Sequence, residues 1–386
     1  MTPRPILFVD HAHVMGGAER SLLLLTTFLD RDRWQPHLIA PPGTLAEEAE
    51  AAGIPVHLHV LPRLRGSSRS LLDLWLQAIR ISRTARAIGA VLIHSNTLRA
   101  TVYAALAARL AGLPLVWHMR EYWLSEAEPA AKWPDRLGKF ILCLMATRVL
   151  AISHAVAGLL PCGAKLSVLH NGIDLSYFDA SHTAAGNRAA VRESAGFPPE
   201  APIVGMVGRA RPLKGQHIFL QVAGLLRATA PGCRFLVVGG DQFNVGDDYE
   251  AHLMALSSQL GLDEQVHWTG QLDDVRPALK AMDIFVNPGV PEGFGLVNVE
   301  AMAMGKPVVA FDHGPLPEIV AHGETGLLVP PGDTAALAGA VARLLQDPAR
   351  AQRMGRAGRR RVENLFQIER TVNELEAHYQ ELVGTI

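Results

Sequence analysis

Short apolar runs alternate with amphipathic helical stretches along most of the chain. In the first half, the apolar runs predict buried strands at residues 6–9, 37–40, 56–60, 91–94, 115–118 and 148–153. The intervening stretches include helices predicted at residues 22–28, 45–52 and 70–88. Strands that alternate with helices indicate a parallel sheet covered on both faces.

The same alternation resumes after residue 200. Strands are predicted at residues 203–209, 235–240, 266–270, 284–286, 308–311 and 326–329, and helices at residues 334–345, 349–363 and 366–383. Residues 175–200 show little periodicity apart from a short helix near residues 187–195, so we interpret them as a linker. The predicted fold class is α/β, with two Rossmann-like domains at residues 1–174 and 201–365 and a last helix at residues 366–386.

Residues 288–309 combine a turn-rich loop with a helix. The loop contains Pro288, Gly289, Pro291, Gly293 and Gly295. It leads into a helix predicted at residues 296–304, which Gly305 is placed to end. A glycine loop at a helix start is suited to anions, because backbone N–H groups point outward and the helix dipole favours negative charge.

Two glutamates frame this loop. Glu292 precedes the glycines, and Glu300 lies one turn inside the predicted helix. A phosphate repels a carboxylate, so the expected partner of Glu292 is a hydroxyl or a developing positive charge. A hydroxyl-binding acid beside a phosphate site suggests a sugar nucleotide as the ligand. The alternative is a helix cap flanked by two solvated glutamates.

Arg209 and Lys214 follow a predicted strand, next to Gly208 and Gly215. A departing diphosphate must be stabilised by a metal or by fixed cations. Arginine can give it bidentate hydrogen bonds, and lysine a mobile point charge. Two solvated surface cations are the alternative, which the glycines at the strand end make less favourable.

The first half opens with a strand, a loop carrying Gly16 and Gly17, and a helix, without the glycine spacing of a dinucleotide site. Taken by itself, this loop is also compatible with a tight strand-to-helix turn that binds no ligand. His118 ends a predicted strand, where ligands bind in parallel sheets. A neutral imidazole there could donate to a sugar hydroxyl, or His118 could be a satisfied structural residue. Weaker candidates for acceptor contacts are His11, His13 and His94.

Several of these motifs resemble those of one enzyme family. The run from Glu292 through Gly293, Phe294, Gly295 and Leu296 to Glu300 resembles the Glu-x7-Glu motif of the retaining glycosyltransferases of family 4. Residues 208–215 resemble that family's G-R-x4-K-G segment, and residues 168–174 its V-x-x-N-G-I-D segment. The motifs occur in the family's order and cover nearly the whole chain. Gly314-Pro315 departs from the two glycines that the family often has, which puts the local loop shape in doubt.

The resemblance implies the glycosyltransferase B (GT-B) fold, with two domains facing a cleft and a last helix that crosses back to the first domain. It also implies transfer of a hexosyl group, with retention, from a UDP- or GDP-sugar to a glycan, lipid or small-molecule acceptor in cell-envelope polysaccharide or glycolipid synthesis. No metal or other cofactor is obligatory in the family. The one Asp-x-Asp sequence, Asp30-Arg31-Asp32, is interpreted as a surface turn.

The family's residue roles carry over to matching positions. Arg209, Lys214 and the helix start would hold the diphosphate, Glu292 and His118 the donor sugar, and Glu300 the ribose. The remaining donor-binding candidates are Gly16, Gly17, Gly270, Gln271, Leu272, Gly293, Phe294, Gly295, Leu296 and Val297. Alternative functions are a sugar-nucleotide epimerase or a phosphorylase on the same architecture, and, less favoured, a two-domain solute-binding protein.

Composition adds few constraints. The 386 residues are 49% hydrophobic and 19% charged, which excludes a disordered chain. The formal net charge of −1 gives no indication of nucleic-acid binding. The three cysteines show no metal or disulfide spacing, and neither a signal peptide nor a transmembrane run is recognised, so we expect a cytoplasmic protein.

The first half is the more basic one. Residues 1–174 hold 18 Lys and Arg against 13 Asp and Glu, and residues 61–99 alone hold seven arginines and one acid. The amphipathic helix within residues 70–88 could lie on the anionic inner face of a membrane. The alternative is a surface helix whose arginine stems cover neighbouring apolar side chains.

Overall fold

The structure is a computed structural model, and it describes residues 2–63, 68–122, 132–179, 188–240 and 248–384. The chain divides into two compact units. The first consists of Met1–Ile173 together with Ile368–Ile386, and the second is Asp174–Gln367. Each unit is built around one parallel sheet with helices on it, so the prediction of two Rossmann-like α/β domains is confirmed.

The first unit has a seven-stranded parallel sheet in the order β3-β2-β1-β4-β5-β6-β7. Its strands are β1 Arg4–Val9, β2 Trp34–Ala40, β3 Val56–Leu58, β4 Leu92–Ser95, β5 Leu115–Met119, β6 Arg148–Ala151 and β7 Leu166–Val168. Its helices are α1 Gly17–Phe28, α2 Thr44–Ala51, α3 Ser68–Ala87, α4 Leu98–Ala111, α5 Lys132–Met145, α6 His154–Ala157 and, from the end of the chain, α15 Ile368–Gly384.

Helix α15 completes the core of the first unit. Its buried face carries Ile368, Val372, Leu375 and Tyr379 into the same cluster as the residues of β1 and α1. Gly172 lets the chain pass close to this helix, because a Cβ at that position would lie 2.6 Å from the Cα of Ile368. The expected return of the last helix to the first domain is therefore present.

The second unit has a six-stranded parallel sheet in the order β10-β9-β8-β11-β12-β13. Its strands are β8 Ile203–Val207, β9 Arg234–Val238, β10 Val266–Trp268, β11 Ile284–Asn287, β12 Val308–Phe311 and β13 Gly326–Val329. Its helices are α7 Arg188–Ser194, α8 Gln216–Thr229, α9 Tyr249–Gln259, α10 Arg276–Ala281, α11 Leu296–Ala303, α12 Leu316–Ile319, α13 Thr334–Gln346 and α14 Pro348–Leu365.

The described part of residues 175–200, expected to form a linker, belongs to the second unit. Helix α7 packs on α10, and Arg188 forms an ion pair with Asp283 at 2.7 Å. The buried Arg192 donates to the carbonyl oxygens of Pro198 and Ala201 at 3.1 and 2.6 Å. The ion pair joins residues 95 positions apart, so local periodicity did not indicate it.

The expectation that the cysteines form no disulfide is wrong for two of the three. Cys143 on α5 and Cys162, which precedes β7, form a disulfide in the first unit, with their Cα atoms 4.9 Å apart. Cys233 is a buried free thiol of the second unit. Their spacing in the sequence gave no signal, because the fold alone brings residues 143 and 162 together.

Candidate active site

The second unit offers a ligand site where its strand order reverses. The chain goes from β8 outward through β9 and β10, then returns to place β11 on the other side of β8. In open parallel sheets, ligands bind beside such a reversal, at the carboxyl ends of the strands. The two loops that flank this point are residues 208–215, after β8, and residues 288–295, after β11.

An ion pair joins the two loops at the reversal. Lys214 ends a 3-10 turn at Pro212–Lys214, and its Nζ donates to Oε2 of Glu292 at 2.8 Å. The Glu292 side chain is only 12% exposed and that of Lys214 32%. The two site residues that the sequence placed on separate motifs are thus direct partners.

Backbone contacts hold the same two loops together. The N–H of Val290 donates to the carbonyl oxygen of Leu213 at 3.0 Å. Gly215 has a φ of +75°, and a Cβ there would lie 2.7 Å from the carbonyl oxygen of Pro288. Glycine is required at this position both for the left-handed backbone and for the close approach.

Two buried asparagines determine the shape of the loop that carries Glu292. Asn287 accepts from the N–H of Gly289 at 3.0 Å and donates to Oδ1 of Asn298 at 3.1 Å. Asn298 in turn donates to the carbonyl oxygen of Gly295 at 3.0 Å. The sequence analysis missed both residues. The available signal was an asparagine inside an otherwise apolar helical run, where the residue is a poor helix former.

A glycine in the left-handed conformation precedes α11. Its N-cap, Gly295, has a φ of +84°, and a Cβ there would lie 2.5 Å from Nδ2 of Asn298. Gly293, Leu296 and Val297 are half-buried around this helix start. Phe294 was predicted to bind donor, but its ring is buried and packs edge-on against Phe366 at 5.9 Å, so only its backbone faces the loop.

Glu300 lies in the middle of α11 and is 8% exposed. Together with the shielded Glu292, this position rules out the alternative of two solvated glutamates. The acid sits one turn inside the helix, as the sequence indicated. Its proposed contact with a ribose remains a prediction.

The other predicted donor residues occupy the same edge of the sheet, because all six strands are parallel. Arg209 follows β8 with an exposed side chain, and its carbonyl oxygen accepts from Gln216 at 2.7 Å. Gly270, Gln271 and Leu272 follow β10, and the carbonyl oxygen of Gly270 accepts from the N–H of Gly239 at 2.9 Å. The structure thus brings Lys214, Glu292 and Gly295 together, with Arg209 and residues 270–272 on the same rim.

The first unit has a polar cluster at its own strand-order reversal, between β1 and β4. Asp10, which follows β1, is fully buried and accepts from Nδ2 of Asn96, which follows β4, at 2.6 Å. Arg120, which follows β5, donates to Oδ1 of Asn96 and, at 2.6 Å, to Oδ1 of Asn171. Burial lowers the pKa of Arg120 to about 10, so the guanidinium stays charged at neutral pH. From the sequence, Asn171 was recognised only as part of the segment at residues 168–174, and Asp10, Asn96 and Arg120 were not predicted as site residues.

His118 is buried inside this cluster. It is the fourth residue of β5 and 1% exposed, with its Nδ1 3.2 Å from Nη2 of Arg120. Burial, followed by the Arg120 charge, holds its pKa well below the ordinary value, so the ring is neutral. Its Nε2 has no hydrogen-bond partner among the described residues. His94 contacts it at 5.3 Å between ring centroids and bonds to the hydroxyl of Tyr379 at 2.7 Å. The structure therefore does not present His118 at a surface.

The Gly16-Gly17 turn starts α1, but a carboxylate already occupies it. Gly16 is the N-cap, and its N–H donates to Oε2 of Glu19 at 3.0 Å. Burial, then the nearby Asp10, raises the pKa of Glu19 from 4.5 to about 7. An incoming anion would compete with Glu19 for this helix start.

Two of the weaker histidine candidates flank this turn. His11 is held by Thr97 through a contact of 2.7 Å between Nδ1 and Oγ1, and burial, followed by the Arg99 charge, lowers its pKa to about 4. His13 is exposed, with its Nδ1 3.3 Å from the carbonyl oxygen of Pro42. At neutral pH His11 is therefore an uncharged group beside the end of β1.

Two α/β units, each with one parallel sheet whose strand order reverses beside its first strand, define the GT-B class of fold. Sequence models agree: residues 15–177 match Glycosyltransferase Family 4, and residues 187–361 match Glycosyl transferases group 1. The chain therefore belongs to the group 1 glycosyltransferases of GT-B fold.

Individual relatives fit the same family. A D-inositol 3-phosphate glycosyltransferase 2 of Catenulispora acidiphila is 39% identical over 197 residues, which is 50% of this chain and 45% of that protein. A D-inositol 3-phosphate glycosyltransferase of Nocardia farcinica is 37% identical over 195 residues, 50% of this chain and 42% of that protein. The chain thus spans about half the length of the curated relatives it matches.

Solved structures resemble the chain over nearly its whole length. HepE from Anabaena, crystallised with UDP and glucose, superposes with a TM-score of 0.84 at 27% identity and covers 98% of this chain and 99% of its own. Sucrose-phosphate synthase from Thermosynechococcus elongatus gives a TM-score of 0.81 at 24% identity, over 99% of this chain and 100% of its own, and shows the fold alone.

The hydrogen bond between the buried Asn287 and Asn298 predicts that substitutions of the two residues are not additive. Asn298→Ala leaves the buried amide of Asn287 without its partner, so we expect the free energy of unfolding to fall by about 2 kcal/mol. Asn287→Ala should cost a similar amount, and the double variant should be less destabilised than the sum by about 1 kcal/mol. Denaturant unfolding measures all three, with the exposed Gln352→Ala as control. Fully additive effects would show that the two amides do not act as a unit.

Glu19 predicts a pH-dependent stability. Its pKa is raised in the folded state, so folding takes up a proton, and this contribution is complete below about pH 4.5 and lost as the pH rises through about 7. Relative to Glu19→Gln, the wild-type free energy of unfolding should fall by about 3 kcal/mol across that window. Denaturant unfolding from pH 4 to 8 tests this. The control Glu47→Gln, at an exposed site in the first turn of α2, should show no such slope. A parallel pH profile for wild type and Glu19→Gln would contradict the assignment.

Proposed function

We propose that this protein transfers a glycosyl group from a nucleoside diphosphate sugar to an acceptor hydroxyl, with retention of the anomeric configuration. The observation that carries the proposal is the Lys214–Glu292 pair, 2.8 Å apart at the strand-order reversal and next to the glycine-capped start of α11. A cation and a helix start suit a diphosphate, and a shielded carboxylate beside them suits sugar hydroxyls.

The pair implies an exchange of partners when donor binds. Without donor, the Glu292 carboxylate neutralises the Lys214 ammonium. A donor diphosphate replaces Glu292 as the partner of Lys214, with Arg209 on the same rim as a second cation. Glu292 is then able to accept hydrogen bonds from the donor sugar, and Glu300 from the ribose. The hydrogen bonds of Asn287 and Asn298 hold the loop at residues 288–295 in place before donor binds. The exchange therefore needs little reorganisation of this loop.

The proposed reaction breaks the bond between the anomeric carbon and the diphosphate oxygen, which keeps the electron pair. Lys214, Arg209 and the first N–H groups of α11 stabilise the charge that develops on the diphosphate. The acceptor oxygen then bonds to the anomeric carbon from the same face. Its proton passes to the departing diphosphate, and this sequence accounts for retention without a protein nucleophile.

Similar proteins support a nucleotide-sugar donor, but they narrow the acceptor only to broad classes. HepE was crystallised with UDP and with UDP-glucose, which favours a UDP-sugar here. The curated relatives are named for D-inositol 3-phosphate, a phosphorylated polyol, so a polyol belongs with glycans and lipids among the acceptors to test. Within the described residues, no helix is long and apolar enough to cross a membrane. We further propose that the reaction serves cell-envelope glycan or glycolipid synthesis.

The direct test is donor binding and turnover. We expect UDP, or another nucleoside diphosphate, to raise the melting temperature, and the matching NDP-sugar to be consumed only when acceptor is present. The rate of donor consumption should be unchanged when EDTA is added, since no metal is obligatory in the family. Donor epimerisation without acceptor would favour the epimerase alternative, and phosphate-dependent cleavage of a glycan would favour a phosphorylase.

Single substitutions should separate the leaving-group cations from ordinary surface charge. Lys214→Ala and Arg209→Ala should each lower kcat by about 10²-fold, as comparable deletions of electrostatic stabilisation do. Arg343→Ala, at an exposed position on α13 in the same unit, should leave kcat unchanged. Steady-state kinetics with the donor identified above measure the effect. Unaltered kcat in Lys214→Ala would remove this residue from the site.

A further inference from the structure

Helix α3 exposes a block of large apolar side chains on its first turns. Leu71, Leu72, Trp75 and Leu76 are 63%, 58%, 50% and 45% exposed. They lie on adjacent turns, so their side chains share one face of the helix. One of the two alternatives for this helix was that arginine stems cover such positions, but the structure leaves these four side chains open to solvent.

Helix α5 exposes a second block, which the sequence analysis did not identify. Leu137, Phe140, Ile141 and Leu144 are 53%, 56%, 43% and 60% exposed. The spacing of three, four and seven residues from Leu137 places all four on a single stripe. Clusters of large apolar side chains on a surface mark interaction sites, because scattered exposure alone would not align them.

The opposite face of α5 anchors the helix to the first unit. Leu142 and Cys143 are buried, and Cys143 is joined to Cys162 by a disulfide. Nζ of Lys165 donates to the carbonyl oxygens of Cys143, Leu144 and Ala146 at 3.1, 3.1 and 2.8 Å. The apolar stripe is therefore the outer side of a fixed helix.

Both apolar blocks lie on neighbouring helices. Helices α3 and α5 each pack against α4, which is largely buried in the first unit. We call the eight exposed side chains described above the α3–α5 face. All eight residues belong to the first unit.

Positive charge accompanies the α3–α5 face. By sequence, α3 carries four arginines and one aspartate. On α5 Arg136 is exposed, whereas Lys139 is buried and adds no charge to the face. Arg80, Arg83 and Arg86 are exposed on the turns of α3 that follow its apolar block. Apolar side chains next to exposed arginines are the pattern of helices that lie in the surface of an anionic bilayer.

We propose that the α3–α5 face docks the first unit on an anionic lipid bilayer, with Trp75, Phe140 and the neighbouring leucines in the interfacial region and the arginines at the headgroups. The exposed arginines of α3 complement anionic headgroups, which favours a bilayer as the partner. In an isologous dimer the same face would meet itself and bring two cationic rims together, which disfavours a second copy. The proposal goes beyond glycosyl transfer and does not depend on it.

The test is vesicle flotation of the full chain without any sugar substrate. Vesicles contain phosphatidylcholine alone or phosphatidylcholine with phosphatidylglycerol, each at low and high salt. We expect binding to the anionic vesicles at low salt, and about tenfold weaker binding for Phe140→Ser combined with Leu144→Ser. Arg80→Gln with Arg83→Gln should also weaken binding by about tenfold, but only to anionic vesicles. The control Leu225→Ser, a leucine of the second unit that is 51% exposed, should bind like wild type.

Light scattering on the same proteins measures their oligomeric state and so tests whether the α3–α5 face binds a second copy instead. A dimer that Phe140→Ser with Leu144→Ser dissociates would overturn the proposal and assign the face to self-association. Equal binding to neutral and anionic vesicles, or no binding by the wild type, would also overturn it. Circular dichroism checks folding, and the single change Leu137→Gln replaces the double variant if that variant unfolds. Because no donor is present, these outcomes are independent of whether the protein transfers sugar.

Discussion

Parallel pairing is the constraint on which both candidate sites depend. When every strand of a sheet runs the same way, all carboxyl ends lie along one edge, and the polar residues that follow the strands must meet there. In the first unit this edge joins Asp10 to Asn96, and in the second it joins Lys214 to Glu292. The apolar strands thus position polar groups that they do not themselves contain.

Several polar groups at these edges are buried, and burial raises the free energy of any group that lacks a partner. Arg120 meets this cost with asparagine and histidine acceptors, and Asn287 and Asn298 meet it with each other and with the loop backbone. The result in the second unit is a loop whose shape is set before any ligand arrives. A fixed loop lets a bound diphosphate find its donors already oriented, which is the physical basis of the proposed leaving-group stabilisation.

The first unit departs from the usual distribution of polar and apolar side chains in two ways. It keeps Asp10, Glu19 and Arg120 inside, while large apolar residues of α3 and α5 stay outside. Both departures cost free energy in an isolated folded chain, so each indicates a function that recovers the cost. For the α3–α5 face, the proposed partner is an anionic bilayer.

The sequence by itself determined the elements of both units and the residue types of the candidate site in the second. Apolar periodicity gave the two parallel α/β domains, because burial on both faces leaves a local pattern at every strand. The glycine loop, Glu292, Lys214 and the start of α11 were also recognisable, since each depends on residue types next to one another. The shielding of Glu300 and the packing of Phe294 against Phe366 were not, because burial depends on neighbours far along the chain.

Only the tertiary structure decided which groups meet. It paired Lys214 with Glu292. It brought Asn96 and Asn171 to the buried Arg120. It also joined Cys143 to Cys162 and left the stripe of α5 uncovered. These outcomes depend on how segments separated by tens to hundreds of residues pack together. A local pattern of residue types carries no record of such packing, because the same pattern is compatible with many neighbours.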